Sequence, residues 1–327
     1  MDLRELGERE AISRLRGAIG ETQDLGRGED DCAAVLLDDG SVLLASTDVV
    51  VESTHMLPGA SPLLIGRFAV EMAVSDVAAM GGEPTGVLCA YAMPPETEVG
   101  WLSQVSRGMS LAAEDLGTSI LGGDTKRSPE RTIAVTALGL VSEGECMFRR
   151  GAREGDALLL TGPVGGPAMG FNMERDPAGR LGDRALELVY GIRARVRAGR
   201  AMATSGYVHS CIDLSDGLGP CLYQLMAASN RGAELIWDRV PMAEGLVDFA
   251  DGRGMDLREL ALNWGGEYEL LAAIDPEGIE PLTQAMGRLG LEPAVVGRVH
   301  GSARQNIIIS KRGREVLRPH GFDHFQV

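Results

Sequence analysis

The sequence is poor in aromatic residues and in basic charge. Phe, Trp and Tyr make up 4% of its 327 residues, so the hydrophobic core has to be built mainly from Ala, Val, Leu and Met. The formal net charge is −16. Such an acidic chain lacks the basic surface that nucleic-acid binding needs, and an anionic membrane would repel it. We therefore expect neither nucleic acid nor a membrane as a partner.

Long apolar runs and paired cysteines are also lacking. No run reaches the length of a membrane span, and the first residues contain no signal-peptide core. The five cysteines are scattered without a CxxC pair and are typical of small buried residues in a reducing compartment. These observations predict a cytoplasmic protein.

Several catalytic motifs are missing. The sequence contains no G-x-x-x-x-G-K-[ST], which excludes a P-loop NTPase, and neither G-x-S-x-G nor HExxH, so hydrolase and zincin functions lack support. The segment 161–166 lies between a predicted strand and a predicted helix but is not a GxGxxG fingerprint. A tight turn is the favoured interpretation, with phosphate binding as the alternative.

Strands and helices mix in both halves of the chain without strict alternation, which favours an α+β fold of two domains. The composition becomes polar and rich in glycine near residues 142–155, so we expect an N-terminal domain over 1–145 and a C-terminal domain over 146–327.

Ser61 and Pro62 predict the start of a long helix that ends at Gly81. Because this helix is apolar nearly all round, Asp76 within it should be paired or metal-bound.

A polar segment follows the apolar run 42–45, which predicts a buried strand. Ser46, Thr47 and Asp48 come directly after the run, and His55 follows a second short apolar stretch. Hard oxygen ligands at a strand end suit a divalent cation. Taken alone, the segment is more typical of a strand end with a solvated aspartate.

The same design recurs along the chain, since carboxylates flanked by small residues also occur at Asp31, Asp76, Asp124, Asp213 and Asp216. Each is weak by itself, because a DG pair such as 216–217 is usually a turn. Together, converging carboxylates would repel one another without cations. With several Mg²⁺ ions they form a site that handles phosphates.

The order of these segments resembles the thiamine-monophosphate kinase family, which belongs to the superfamily of aminoimidazole ribonucleotide synthetase and selenophosphate synthetase. The segments that carry the resemblance are DDCAA, STD with the later His55, SDVAAMG, GGDT, IDLSDGL, GGE-YELL and GFDHF. It implies an N-terminal dimerising domain with a mixed sheet and helices, and a C-terminal α/β domain beside it. It further implies a homodimeric kinase that transfers the γ-phosphoryl group of ATP to thiamine monophosphate.

The resemblance also implies roles for individual residues. Mg²⁺ ligands would be Asp31, Ser46, Thr47, Asp48, Asp76, Asp124, Asp213 and Asp216. ATP would contact Gly122, Gly123, Arg149 and Ser215, with Asp48, Asp124 and Arg149 as the catalytic groups. The substrate would contact His55, Glu267 and Phe322. A direct in-line transfer fits, because catalysis between two polyanions depends mainly on positioning and charge neutralisation.

The sequence departs from the family pattern in the substrate half. The family's Gly-Gly-Glu-Asp-Tyr-Glu-Leu lacks its aspartate here, so Tyr268 follows Glu267 directly, and the prolines of a His-Leu-Arg-Pro-x-Pro segment are lost at 192–197. Two alternatives follow. The first is a divergent kinase acting on another small molecule, and the second is a nucleotide-binding homodimer that has lost catalysis.

Overall fold

A computed structural model describes residues 2–20, 23–26, 28–301 and 305–317, apart from the side chain of Arg9. Its first half contains α1 (Leu3–Leu6), α2 (Glu8–Ile19), β1 (Ala33–Leu36), β2 (Ser41–Val51), α3 (Glu52–His55), α4 (Pro62–Ala79), β3 (Glu83–Met93), α5 (Val99–Asp115), β4 (Ile120–Arg127) and β5 (Thr132–Ser142). Its second half contains β6 (Ala157–Leu160), α6 (Gly166–Phe171), α7 (Asp183–Tyr190), α8 (Val196–Ala203), β7 (Val208–Asp213), α9 (Leu218–Ser229), β8 (Gly232–Ile236), α10 (Leu246–Arg253), α11 (Leu257–Leu262), β9 (Leu270–Ile274), α12 (Ile279–Gly287), β10 (Ala294–His300), β11 (Ile307–Ser310) and β12 (Gly313–Val316).

Two sheets form the frame. The first has five strands in the order β1-β2-β5-β3-β4, and all its pairs are antiparallel except β3 with β4. The second has seven strands in the order β12-β11-β8-β10-β6-β9-β7, with β11 and β8 as a parallel pair. Mixed sheets with helices confirm the expected α+β class.

Helix α4 is the central element of the first half. Ser61 caps it by accepting a hydrogen bond from the N–H of Leu64, and Pro62 occupies the first turn, as the sequence predicts. Its apolar residues are buried nearly all round, because the first sheet and α5 cover it on one side and α8 approaches it on the other. The helix therefore places the Ser75-Asp76 pair between the two halves of the chain.

Three expectations about local structure are corrected. The polar segment Ser46–Asp48 lies within β2 rather than at a strand end, because β2 continues its pairing with β5 as far as Val51. The GGDT segment likewise lies inside β4. The pattern of the Arg-rich segment 183–204 predicts one helix, but the structure interrupts it at 191–195. There the N–H of Ala194 donates to the buried Glu71, and Arg195 pairs with the buried Glu269.

Among the described residues, no helix combines the length and the apolar character that crossing a bilayer requires.

The contact between α4 and α5 gives a stability prediction. A Cβ added at Gly66 would lie 2.0 Å from the carbonyl oxygen of Val105, so the two backbones pack too closely for a side chain. We expect Gly66→Ala to lower the free energy of unfolding by about 1–3 kcal/mol in urea denaturation. Gly17→Ala is the matched control, since nothing lies within 4 Å of that position in α2, and we expect it to stabilise by about 0.4–1 kcal/mol. Equal effects of both variants would contradict the close packing.

Candidate functional site

Three carboxylates from distant parts of the sequence meet between the two sheets. Asp31 lies just before β1, Asp76 lies near the end of α4, and Asp213 is the last residue of β7. Each offers one oxygen, and these three oxygens all lie within 4.8 Å of one another. The side chain of Asp31 is only 1% exposed, and Asp213 is fully buried. We call these three residues the carboxylate cluster.

Two serines, Ser75 on α4 and Ser46 on β2, orient members of the cluster. The hydroxyl of Ser75 donates to Oδ2 of Asp213 at 2.6 Å, and the hydroxyl of Ser46 donates to Oδ2 of Asp76. Ser75 was not among the site residues predicted from the sequence, since a serine beside an aspartate carries no signal of its own. Its contact with Asp213 spans 138 residues of sequence.

Two oxygens of the cluster have no hydrogen-bond partner among the described residues. They are Oδ2 of Asp31 and Oδ1 of Asp213, and both are buried. A buried carboxylate oxygen without a partner is unfavourable, because desolvation is not offset. Oxygen ligands of this kind suit a hard divalent cation, so the donor set fits Mg²⁺.

The carboxylates raise one another's pKa. Burial raises the pKa of Asp213 to about 7, with a further increase from the charge of Asp31. Burial also raises the pKa of Asp76 well above its ordinary value, and the charges of Asp213 and Asp48 add to the effect. The pKa of Asp48 rises to about 6, again through burial. A cation would reverse these shifts by favouring the charged forms.

The residues of β2 divide between the two faces of the first sheet. Ser46 and Asp48 face α4, because alternate residues of a strand point to the same side. The side chain of Thr47 therefore points to the opposite face, where its hydroxyl lies 2.9 Å from that of Thr136 on β5. The structure does not bring the Thr47 side chain to the carboxylate cluster.

Arg149 joins the cluster from the segment between the two sheets. Its Nη2 donates to Oδ1 of Asp31 at 2.6 Å, and its backbone N–H donates to Oδ1 of Asp30 at 2.5 Å. Burial raises the pKa of Asp30 to about 6. The Nη1 of Arg149 donates to Oε1 of Gln224 on α9, and Nε2 of Gln224 donates to Asp216 at 3.0 Å. Asp216 is thus connected to the cluster through two intervening side chains.

The segment 265–269 lies against the segment that follows β7. The N–H of Gly266 donates to the carbonyl of Ser215 at 2.8 Å, and the N–H of Tyr268 donates to the carbonyl of Leu214 at 3.1 Å. Gly265 has a φ of +87°, and a Cβ there would lie 2.3 Å from the carbonyl oxygen of Ser215. Only glycine fits this position. The backbone pairing fixes the two segments relative to each other.

Glu267 is buried and accepts a hydrogen bond from the N–H of Gly165 at 2.9 Å. Its Oε2 has no hydrogen-bond partner among the described residues. Burial raises the pKa of this carboxyl group to about 7, against the lowering effect of the Gly165 N–H. The group is therefore poised between its neutral and charged forms near neutral pH.

Tyr268 follows Glu267 in this segment and was not among the site residues predicted from the sequence. It is buried and has a φ of +53°, which is unusual for a residue other than glycine. Its pKa is raised well above the ordinary value by burial and then by the charges of neighbouring carboxylates, Asp48 and Asp213 first among them. Its ring meets that of Phe68 edge-on, with 6.3 Å between centroids.

Tyr190 holds the segment that contains His55. The Tyr190 hydroxyl donates to the carbonyl of His55 at 2.5 Å and accepts from the N–H of Leu57 at 2.7 Å. Its ring packs edge-on against Phe68 at 5.2 Å. The imidazole Nδ1 of His55 lies 3.2 Å from the N–H of Val51 and 2.8 Å from the Thr54 hydroxyl. Phe68 thus lies between Tyr190, which holds the His55 segment, and Tyr268.

Asp124, Gly122 and Gly123 lie away from the cluster within one chain. The strand register aligns Gly123 on β4 with Asp48 on β2, three strand spacings apart. At about 4.8 Å per spacing, the two backbones are about 14 Å apart. Asp124 is exposed, and a hydrogen bond from Lys126 lowers the pKa of its carboxyl group. A Cβ at Gly123 would lie 1.7 Å from the carbonyl oxygen of Cys89, so strand packing alone requires glycine there. Phe322 lies outside the described residues.

Comparison with known families shows two matches that together span most of the chain. The family model for the AIR synthase related protein, N-terminal domain, matches residues 29–141. The corresponding C-terminal domain model matches residues 153–310.

Individual relatives match over nearly their whole length. The thiamine-monophosphate kinase of Synechococcus elongatus is 30% identical over 332 residues, which cover 99% of this chain and 98% of that protein. That of Rhodopirellula baltica is 30% identical over 97% of both chains. The solved structure of AaThiL complexed with AMPPCP and TMP superimposes with a TM-score of 0.84 at 26% identity over 99% of both chains. The chain belongs to the thiamine-monophosphate kinase family.

Proposed function

We propose that the chain transfers the γ-phosphoryl group of ATP to thiamine monophosphate, giving thiamine diphosphate and ADP. The observation that carries the proposal is the carboxylate cluster, which lies within a chain that matches thiamine-monophosphate kinases over nearly its full length. The solved relative complexed with AMPPCP and TMP supports both ligands. This reaction joins two polyanions, so neutralising and positioning charge is its main requirement.

Several Mg²⁺ ions belong to this proposal. Asp31, Asp76 and Asp213 would hold a cation, because their oxygens converge and two of them lack a partner among the described residues. Ser46, Asp48 and Asp216 would complete the ligand set around them. Bound Mg²⁺ supplies neutralisation of the phosphate charge.

The chain's own residues position the two substrates. Arg149 would bind the polyphosphate with Ser215, since both border the carboxylate cluster through Asp31 and Asp213. His55 and Glu267 would contact the acceptor, and Phe68 links their two segments through Tyr190 and Tyr268. No side chain is required as a phosphorylated nucleophile, so the transfer is direct and in line.

A second acceptor is the alternative that one observation favours. Tyr268 follows Glu267 without the aspartate of the family pattern, and it is buried against Phe68. This deletion changes the segment proposed to contact the acceptor and leaves the carboxylate cluster intact. A different small phosphate acceptor would then use the same nucleotide site.

We further propose a homodimer formed through the outer face of the first sheet. Large apolar side chains are exposed there, among them Val49, Leu88 and Leu140. Strand β4 is exposed along its whole length, and within the described residues it pairs only with β3. An exposed edge and an apolar face favour association with another chain. A second copy would also supply Asp124 and Gly123 to a cluster that they do not reach within one chain.

We place the domain boundary near residue 145, between the two sheets.

The activity itself is the first test. Purified protein with ATP, Mg²⁺ and thiamine monophosphate should form thiamine diphosphate, measured by liquid chromatography. Asp213→Asn should lower the rate at least about 100-fold, because metal stabilisation of developing charge is worth several kcal/mol. Asp248→Asn, an exposed aspartate on α10, is the matched control and should be unchanged. ATP binding without thiamine diphosphate would reject the acceptor, and full activity of Asp213→Asn would reject the metal assignment.

Stability should depend on pH in a defined direction. The pKa of Asp213 rises from 3.8 to about 7 on folding, so the folded state holds more protons between these values and stability falls as pH rises through them. In EDTA, the melting temperature should therefore be lower at pH 8 than at pH 6, and Mg²⁺ should reduce the difference. Asp213→Asn should flatten the profile. A melting temperature in EDTA that rises toward pH 8 would contradict the geometry.

Subunit mixing tests the shared site. Asp48→Asn and Asp124→Asn should each be inactive alone. Co-expressed in equal amounts, they should recover about a quarter of wild-type activity, because half of the dimers are mixed and each mixed dimer has one intact site. Mass photometry would confirm the dimer in each sample. Activity that stays at the level of the separate variants would show that both aspartates act within the same chain.

A further inference from the structure

Gln224 lies on α9 between two charged groups of the proposed nucleotide site. Its Oε1 accepts a hydrogen bond from Nη1 of Arg149 at 2.8 Å, and its Nε2 donates to Oδ2 of Asp216 at 3.0 Å. The three side chains come from separate elements, with Arg149 between the sheets and Asp216 just before α9. One carboxamide thus connects a guanidinium to a carboxylate.

The chemistry of the two neighbours fixes the orientation of this amide. A guanidinium only donates hydrogen bonds and an ionised carboxylate only accepts them, so the oxygen must face Arg149 and the nitrogen must face Asp216. No other side chain of this volume offers a neutral acceptor and a neutral donor in the same way. A glutamate would lose the donor and place a second negative charge beside Asp216.

The neutral spacer has an electrostatic effect. Arg149 already pairs with Asp31, and a direct pair with Asp216 as well would leave its guanidinium occupied by two carboxylates. Gln224 keeps the two charges apart while holding both by hydrogen bonds. The Nε of Arg149 is buried and has no partner among the described residues, so one donor of the guanidinium is still unused.

Helix α9 also holds the backbone of the arginine. The hydroxyl of Ser229 donates to the carbonyl of Arg149 at 3.2 Å and accepts from the N–H of Ala152 at 3.0 Å. The side chain and the main chain of Arg149 are therefore both fixed by the same helix, through residues five positions apart.

We propose that Gln224 is a positioning residue for nucleotide binding, which is itself oriented by Asp216 and holds the Arg149 guanidinium in place for a Mg²⁺–polyphosphate ligand. This inference rests on the ATP half of the proposed function and is independent of the acceptor. It assigns the residue an effect on nucleotide affinity that is exerted through Arg149.

The test is a double-mutant cycle on the affinity for AMPPCP with Mg²⁺, measured by calorimetry without any acceptor. Gln224→Met should raise the dissociation constant about tenfold, since it leaves two polar groups without their partner. Gln224→Glu, which keeps the volume and the acceptor, should also raise it. Because Gln224 acts through Arg149, Arg149→Met with Gln224→Met should bind no more than about twofold more weakly than Arg149→Met alone.

The control and the contrary outcomes are defined by the same measurement. Gln284→Met changes an exposed glutamine on α12 that is bonded to Glu280, and its affinity should equal that of the wild type. The proposal would be overturned if the losses of AMPPCP affinity from Arg149→Met and Gln224→Met add in the double variant. An unchanged affinity of Gln224→Met would overturn it as well. A wild type that does not bind AMPPCP would overturn it together with the ATP half of the function. Binding without turnover of thiamine monophosphate rejects the acceptor alone, and the cycle still decides on Gln224.

Discussion

Repulsion between like charges that are held close together is the constraint on which the arrangement of this chain depends. Three carboxylate oxygens within 4.8 Å of one another, with Asp213 fully buried, oppose folding unless protons or cations offset them. The surrounding contacts reduce this repulsion only in part. Ser75, Ser46 and Arg149 each bind one member of the cluster, and two oxygens are still without a partner among the described residues. The contacts of the cluster therefore leave part of the repulsion to be offset by protons or by a cation.

The rigidity that holds these charges together comes from close backbone packing around α4. Gly66 lets α5 approach on one side, and Gly199 lets α8 approach the carbonyl of Ala78 at the other end. Dense packing of this kind resists the outward movement that repulsion would otherwise drive. Larger residues at Gly66 and Gly199 would push α4 away from α5 and α8, and Asp76 would be displaced relative to Asp213.

Features with a local signal could be predicted from the sequence, whereas features made by distant contacts could not. Ser61-Pro62 specifies the start of α4 within a few residues, and the α+β class follows from the order of elements. The side of the sheet to which the Thr47 side chain points was not predictable, because it depends on β2 continuing as far as Val51. Tyr268 and Gln224 gave no signal either, since each acquires its neighbours through contacts across the fold. The break at 191–195 arises because two buried glutamates, Glu71 and Glu269, outweigh local helix propensity.

The backbone pairing between 265–268 and 214–215 couples the position of the Glu267 segment to that of the segment after Asp213. The first segment carries Glu267 and Tyr268, and the second follows Asp213 directly. Any substitution that reshapes the first segment moves the peptide groups that hold the second. Since the proposed acceptor contact Glu267 and the proposed metal ligand Asp213 lie beside this pairing, we expect lineages that exchange one acceptor for another to carry compensating substitutions around Asp213.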